Sequence, residues 1–141
     1  MEAGGTGPRN QQIAYALFRL TLGLDIFMHG AMRFVTGVRA WEANQAKLFE
    51  GTILPMALVH GFLLTLPALE VIIGGLTIIG LYTRFALVAG AVMIFALVFG
   101  TGMRQDWTTV GSQMLYAAYY YLMLARFDDN WLALDGRRQA Q

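Results

Sequence analysis

The chain contains no cysteine. That excludes disulfides, thiolate metal sites, iron–sulfur clusters and any CxxC relay. A redox role would therefore need electrons carried by a bound molecule or a partner. Charge is scarce as well. Asp, Glu, Lys and Arg make up 13% of the 141 residues and leave a net charge of +1, where a soluble domain carries about 25% charged residues. With so little positive field, no nucleic-acid partner is expected. No GxSxG, HExxH or P-loop spacing occurs. Proline appears three times and histidine twice, so the apolar runs are long.

Those runs dominate the chain. Hydrophobic residues reach 57%, and mean hydropathy is +0.51 at 15.6 kDa. A soluble globule of this size needs far more charge to cover its surface. Disorder, a solvated coiled coil and an ordinary cytosolic enzyme are excluded. The composition predicts a single-domain integral membrane protein with the lipid bilayer as a partner.

Four apolar segments follow one another at 13–35, 54–82, 85–103 and 110–127, the second interrupted by Pro67. A spanning helix needs about 20 mostly apolar residues, and backbone in hydrocarbon must bond internally. The fold class expected is all-α: an integral membrane four-helix antiparallel bundle, residues 13–127. A Gly-rich flexible tail (1–12) precedes it and a polar tail (128–141) follows it. The first apolar stretch is too long for a signal peptide and carries Arg19 and Asp25. An even number of spans puts both ends on one side. Five basic residues (Arg9, Arg84, Arg126, Arg137, Arg138) fall there against four (Arg33, Arg39, Lys47, Arg104) opposite, which votes for termini in the cytoplasm of a bacterial or archaeal cell. In the first loop, Val38, Trp41, Gln45, Leu48 and Phe49 share a helical face. That reads either as a short interfacial helix with Trp41 at headgroup depth or as an ordered polar loop. Trp107 and Trp131 read as interfacial anchors, and Asp128–Asp129 as a solvated helix end.

Ionisable groups at bilayer depth are functional-site hypotheses. On the first helix, Arg19, Asp25, His29 and Arg33 share an arc of roughly 120°. Gly23 and Gly30 beside it allow a close neighbour. On the second, His60, Pro67, Glu70, Gly74 and Thr77 share a similar arc, with Arg84 at its end. Arg19 and Glu70 are both deep in apolar runs, so pairing them is the least costly arrangement. That ion pair is the expectation, either as part of a site or as a device fixing helix register. His29 and His60 should sit toward one membrane face. A third ligand and a CxxCH sequence are both missing, so no metal or haem is expected, and Asp25 could orient His29 for hydrogen bonding. The fourth helix places Ser112, Gln113, Tyr116, Tyr119, Tyr120 and Met123 on one face. This suits a planar aromatic ligand, another subunit or an aromatic belt. The candidate binding residues are thus Arg19, Asp25, His29, Arg33, His60, Glu70, Tyr116 and Tyr120. No catalytic residue is assigned.

Several of these marks resemble the DoxX family. Phe18-Arg19, Gly23, His29-Gly30 and Arg33-Phe34 are similar to its first-helix pattern. His60-Gly61, Pro67, Leu69-Glu70, Gly74-Gly75, Gly80-Leu81 and Thr83-Arg84 are similar to its second segment. Leu132-Ala133-Leu134-Asp135 resembles its S-L-D ending. The resemblance covers about 14–135. It implies a four-helix membrane bundle tied to quinone-linked redox chemistry, as in the membrane subunit of thiosulfate:quinone oxidoreductase and membrane partners of oxidative-stress enzymes. Arg19 and Glu70 match the family's intramembrane Arg and Glu, while His29, Gly30, Gly74, Thr83 and Arg84 match its other marks. Arg33 stands where the family has Lys, which keeps charge but not geometry.

Three functions follow as expectations. The first is a membrane subunit of a redox-linked complex, with other protein subunits as partners, contacting a quinone between the first two spans. Any catalysis would then belong to a quinone-linked oxidoreductase rather than to this chain alone. The second is a non-catalytic assembly subunit. The third is a small-solute or proton pathway, against which four short helices without an inverted repeat leave little room for a gate.

Overall fold

A computed structural model describes residues 9–135. The parts of the expected tails at 1–8 and 136–141 lie outside the described residues. The fold is all-α. Its helices are α1 (Asn10–Thr36), α2 (Val38–Lys47), α3 (Met56–Ile79), α4 (Thr83–Met103) and α5 (Trp107–Ala125), followed by a 3-10 turn at Phe127–Asp129. Two of them, α3 and α4, are long and apolar enough to cross a membrane. The first loop does contain a helix, α2. Helix α1 starts at Asn10, ahead of its apolar run, where Arg9 N donates to Gln12 Oε1 at 2.9 Å. Helix α3 continues through Pro67 without a break.

The closest helix packing joins α1 to α3. The two run antiparallel, and glycines let their backbones meet. A Cβ on Gly74 would lie 2.7 Å from Gly23 O, and one on Gly30 would lie 2.9 Å from Val71 N. Real side chains do not approach that closely, so these positions admit only glycine in this packing. Helices α4 and α5 form a second antiparallel pair. There Gly90 receives the ring of Tyr120, which is 1% exposed. Leu66, Leu87, Tyr120 and Met123 form the centre of the core.

The register of α1 on α3 overturns the expected Arg19–Glu70 pair. Gly23 faces Gly74 and Ile78, so Arg19 falls beside the end of α3 and Glu70 lies about two turns away. Arg19 Nη1 donates to Thr77 O at 2.7 Å and Ile78 O at 3.0 Å, and Nη2 donates to Leu132 O at 2.8 Å. The last carbonyls of a helix lack internal partners and carry the negative end of its dipole. A buried guanidinium satisfies both needs. Arc position on a helical wheel is silent about height along the axis, and height decided this partner.

The segment after α5 is tied to the same end. Gly80 ends α3 with φ 72°, a left-handed conformation that suits glycine. Asp135 then caps α4, accepting from Tyr82 N at 3.1 Å, Thr83 N at 2.6 Å and Thr83 Oγ1 at 2.9 Å. Its own N–H donates to Gly80 O at 3.0 Å. Residues 127–135 thus clasp the α3–α4 turn. Asp129 accepts from Arg126 Nε at 3.0 Å while Asp128 is exposed, consistent with a solvated helix end.

The exterior is strongly apolar. Leu17, Phe85, Val92, Phe95 and Tyr121 are each more than 60% exposed, on the outward faces of α1, α4 and α5.

Two stability tests follow. Gly74→Ala should destabilise the fold by about 2 kcal/mol through overpacking. Gly61→Ala, with open space at its Cβ, should be neutral or stabilise by up to about 1 kcal/mol. Unfolding followed by circular dichroism compares them. Asp106 caps α5, accepting from Thr109 Oγ1 at 2.6 Å and Thr109 N at 3.1 Å. The Thr109 hydroxyl and amide, with Arg104, hold its carboxyl below the usual Asp range. A lowered carboxyl stabilises the fold above its unfolded pKa and loses that effect as pH falls through the folded value. Asp106→Ala should flatten this acid limb of the stability–pH profile.

Candidate functional site

A cavity of about 620 Å³ opens between α1, α3, α4 and α5 at the end closed by α2. Antiparallel packing creates it. Helices α1 and α5 barely touch beyond their terminal halves, and α2 with its following turn forms the end wall. The lining on α4 runs from Met93 to Arg104, about 16 Å of helix at 1.5 Å per residue. Leu58, Phe62, Leu63, Leu66, Ile94 and Phe99 form apolar walls.

Polar groups gather at the inner end. Arg33 and Glu70 form an ion pair across α1 and α3, with side chains 18% and 5% exposed. The register that carries Arg19 past Glu70 brings Arg33 to it. The Arg33 guanidinium lies 4.1 Å from the centre of the Trp41 ring, a cation–π contact that fixes its plane. His29 lines the cavity one turn before Arg33. Its Nε2 is 3.8 Å from Asp25 Oδ2, and Tyr116 donates its hydroxyl to the same Asp25 oxygen. At the α2 end, Arg104 lies 5.1 Å from the Phe49 ring centre and 3.1 Å from Asp106 Oδ2. Gln113 Nε2 donates to Thr101 Oγ1 at 3.0 Å, and Gln113 Oε1 is buried with no hydrogen-bond partner.

Of the residues expected to bind, His29, Arg33, Glu70 and Tyr116 line the cavity. Asp25 stands at its edge through Tyr116. The other three stand elsewhere. Arg19 caps α3 at the far end. Tyr120 is core, enclosed by Gly90. His60 pairs through Nδ1 with the buried Glu42 and pins α2 to α3, so the two histidines do not share a site. Gln113, Trp41 and Arg104 are among the lining residues outside the candidate set. Gln113 follows the Tyr116 face at i−3 and carried a readable signal. Trp41 read as a headgroup anchor and Arg104 as a loop charge, because the folding of α2 over the cavity leaves no trace in local pattern. Among the described residues no group of three His, Asp or Glu side chains is placed to hold a metal ion.

The arrangement suits an amphipathic small molecule. Ligand pockets are mostly apolar, about 300–1,000 Å³, with a few convergent polar groups. Here Arg33, His29 and Gln113 supply donors, and Glu70, Asp25 and Gln113 Oε1 supply acceptors. Comparison with protein-family models, curated proteins and solved structures gave no match.

The ion pair provides a test by double-mutant cycle. Removing either charge leaves the other buried and uncompensated, costing about 3–5 kcal/mol. Arg33→Met and Glu70→Met should each destabilise by that order, and the double variant should recover most of the loss in denaturant unfolding.

Proposed function

We propose that the chain is an integral membrane protein in which α1, α3, α4 and α5 form a four-helix antiparallel bundle with α2 at the membrane surface. It works as the membrane subunit of a redox-linked complex and holds a quinone in the cavity. The observation that carries this reading is the convergence of Arg33–Glu70, His29 and Tyr116–Asp25 at the inner end of an apolar cavity. Support for the membrane comes from α3 and α4, each apolar and long enough to span, and from the exposed leucine, valine and phenylalanine exterior. A soluble surface rarely shows apolar patches of that extent. The described ends, near Arg9 and Asp135, lie at one end of the bundle.

The residues fit a planar ring bearing two carbonyls. A bound quinone supplies two-electron, two-proton redox chemistry. The chain binds and orients it. Arg33 has five N–H donors and Glu70 occupies only part of them, so the guanidinium can still face a carbonyl. His29 can donate to the ring, and its Nε2 lies 3.8 Å from Asp25 Oδ2. Asp25 and Glu70 are the carboxylates through which the quinone's protons would pass. With no thiol in the sequence, electrons come from a partner subunit.

The test is quinone binding to the detergent-purified protein, read by native mass spectrometry and tryptophan quenching. Glu70→Gln and His29→Ala should weaken binding about tenfold, the effect of losing one charge-assisted hydrogen bond. Arg19→Lys, at the far end, should leave the affinity unchanged. Absence of any quinone mass increment and of quenching overturns the proposal.

A further inference from the structure

The cavity has two lateral gaps of different chemistry. One lies between α1 and α5. Three contacts close the terminal half of that wall. Tyr15 Oη donates to Met123 O at 3.1 Å, Phe18 meets Tyr119 edge-on with centroids 5.3 Å apart, and Tyr116 donates to Asp25. The same register continued puts His29 level with Ser112. No bond joins them: Ser112 Oγ turns back to Thr108 O at 3.5 Å. Both line the cavity and both are exposed. The rim of this gap is polar.

The other gap lies between α3 and α4, which are joined by the Gly80 turn. Among the described residues, and leaving aside α4's own backbone and the two chain neighbours, the atoms within 4 Å of a Cβ on Gly100 belong to the Phe49 ring, at 3.6 and 3.7 Å. No atom of α3 comes that close. Leu58 and Phe62 border the gap on α3, and Ala96 and Phe99 border it on α4. All four line the cavity. Leu58 is 62% and Phe99 52% exposed, so cavity wall and exterior form one apolar surface. Phe49, from the turn after α2, covers its upper end.

We infer that the α3–α4 slot carries the aliphatic tail of the bound molecule. The polar ring sits at Arg33–Glu70, and the tail leaves beneath Phe49 toward lipid. The ligand class is therefore a quinone with a long aliphatic tail, dissolved in the bilayer, and this rests on the quinone reading of the same cavity. The polar rim between α1 and α5 suits such a tail less well, because an aliphatic chain lying against Asp25 and His29 offers them no hydrogen bond.

The probe is a benzoquinone with a photoreactive diazirine midway along an aliphatic tail. It is photolysed with the purified full chain in phosphatidylcholine vesicles, and labelled peptides are mapped with and without excess unlabelled long-tailed quinone. The expected result is competed label on Leu58, Ala96 or Phe99. Ala96→Phe should weaken the long-tailed quinone about tenfold or more, the range of an overpacked site. It should leave a tailless benzoquinone unchanged, read by quenching of Trp41 with Trp107 and Trp131 replaced by Phe. Val92→Phe, on the outer face, should change neither. Competed label on His29 or Ser112, or Ala96→Phe weakening both quinones alike, overturns the slot and leaves the quinone site standing. Competed label nowhere, with no quenching by either quinone, removes the site and the slot together.

Discussion

The contact on which everything else depends is the approach of α1 and α3 backbones at Gly23, Gly30 and Gly74. Without side chains at these positions, two helices lie closer than leucines would allow, and only one register satisfies all three. That register decides every ionic partner between the two helices. It delivers Arg19 to the open carbonyls of α3 and Arg33 to Glu70. A shift of one turn would leave a buried guanidinium and a buried carboxylate each without a counterpart, at several kcal/mol apiece. Glycine packing and charge pairing therefore reinforce one another.

The cavity follows from the rest of the packing. Helices α4 and α5 are locked at Gly90–Tyr120 and again at Thr101–Gln113, while the bonds and ring contact of α1 with α5 run from Tyr15 to Asp25. The space left over is closed by α2, held to α3 by Glu42–His60 and by Ala46 against Val59 and Leu63. The two ends of the molecule thus divide their duties. At one end Arg19 donates to the backbone carbonyls of Thr77, Ile78 and Leu132, and Asp135 accepts from Tyr82 and Thr83. At the other, Arg33, Glu70, His29 and Tyr116 keep part of their hydrogen-bonding capacity turned toward a cavity.

Periodicity made much of this readable. The lengths of the apolar runs place the helices to within a few residues, since apolar stretches and helix geometry share one scale. The polar arc of α1 marks the inward face of that helix at Arg19 and Arg33. The glycines beside it mark the closeness of a neighbour, and the Tyr face of α5 marks Tyr116. What stayed hidden is height and distance. Arg19 and Arg33 lie within about 40° of each other on a helical wheel and 14 positions apart along it, so the wheel does not decide which arginine meets Glu70. Tyr116 and Tyr120 share a face, yet Gly90 on another helix makes one of them core.

The sequence by itself determined an all-helical chain, its apolar exterior and the small set of buried polar residues from which any site must be built. These properties are local, set by composition and by spacing along one helix. Only the tertiary structure decided which of those residues meet. It paired Arg33 with Glu70, sent Arg19 to a helix end and His60 to Glu42 of α2, and brought Trp41 and Arg104 to the wall of a cavity. Such choices depend on the register and separation of helices distant in sequence, and those are fixed by close packing across the whole molecule.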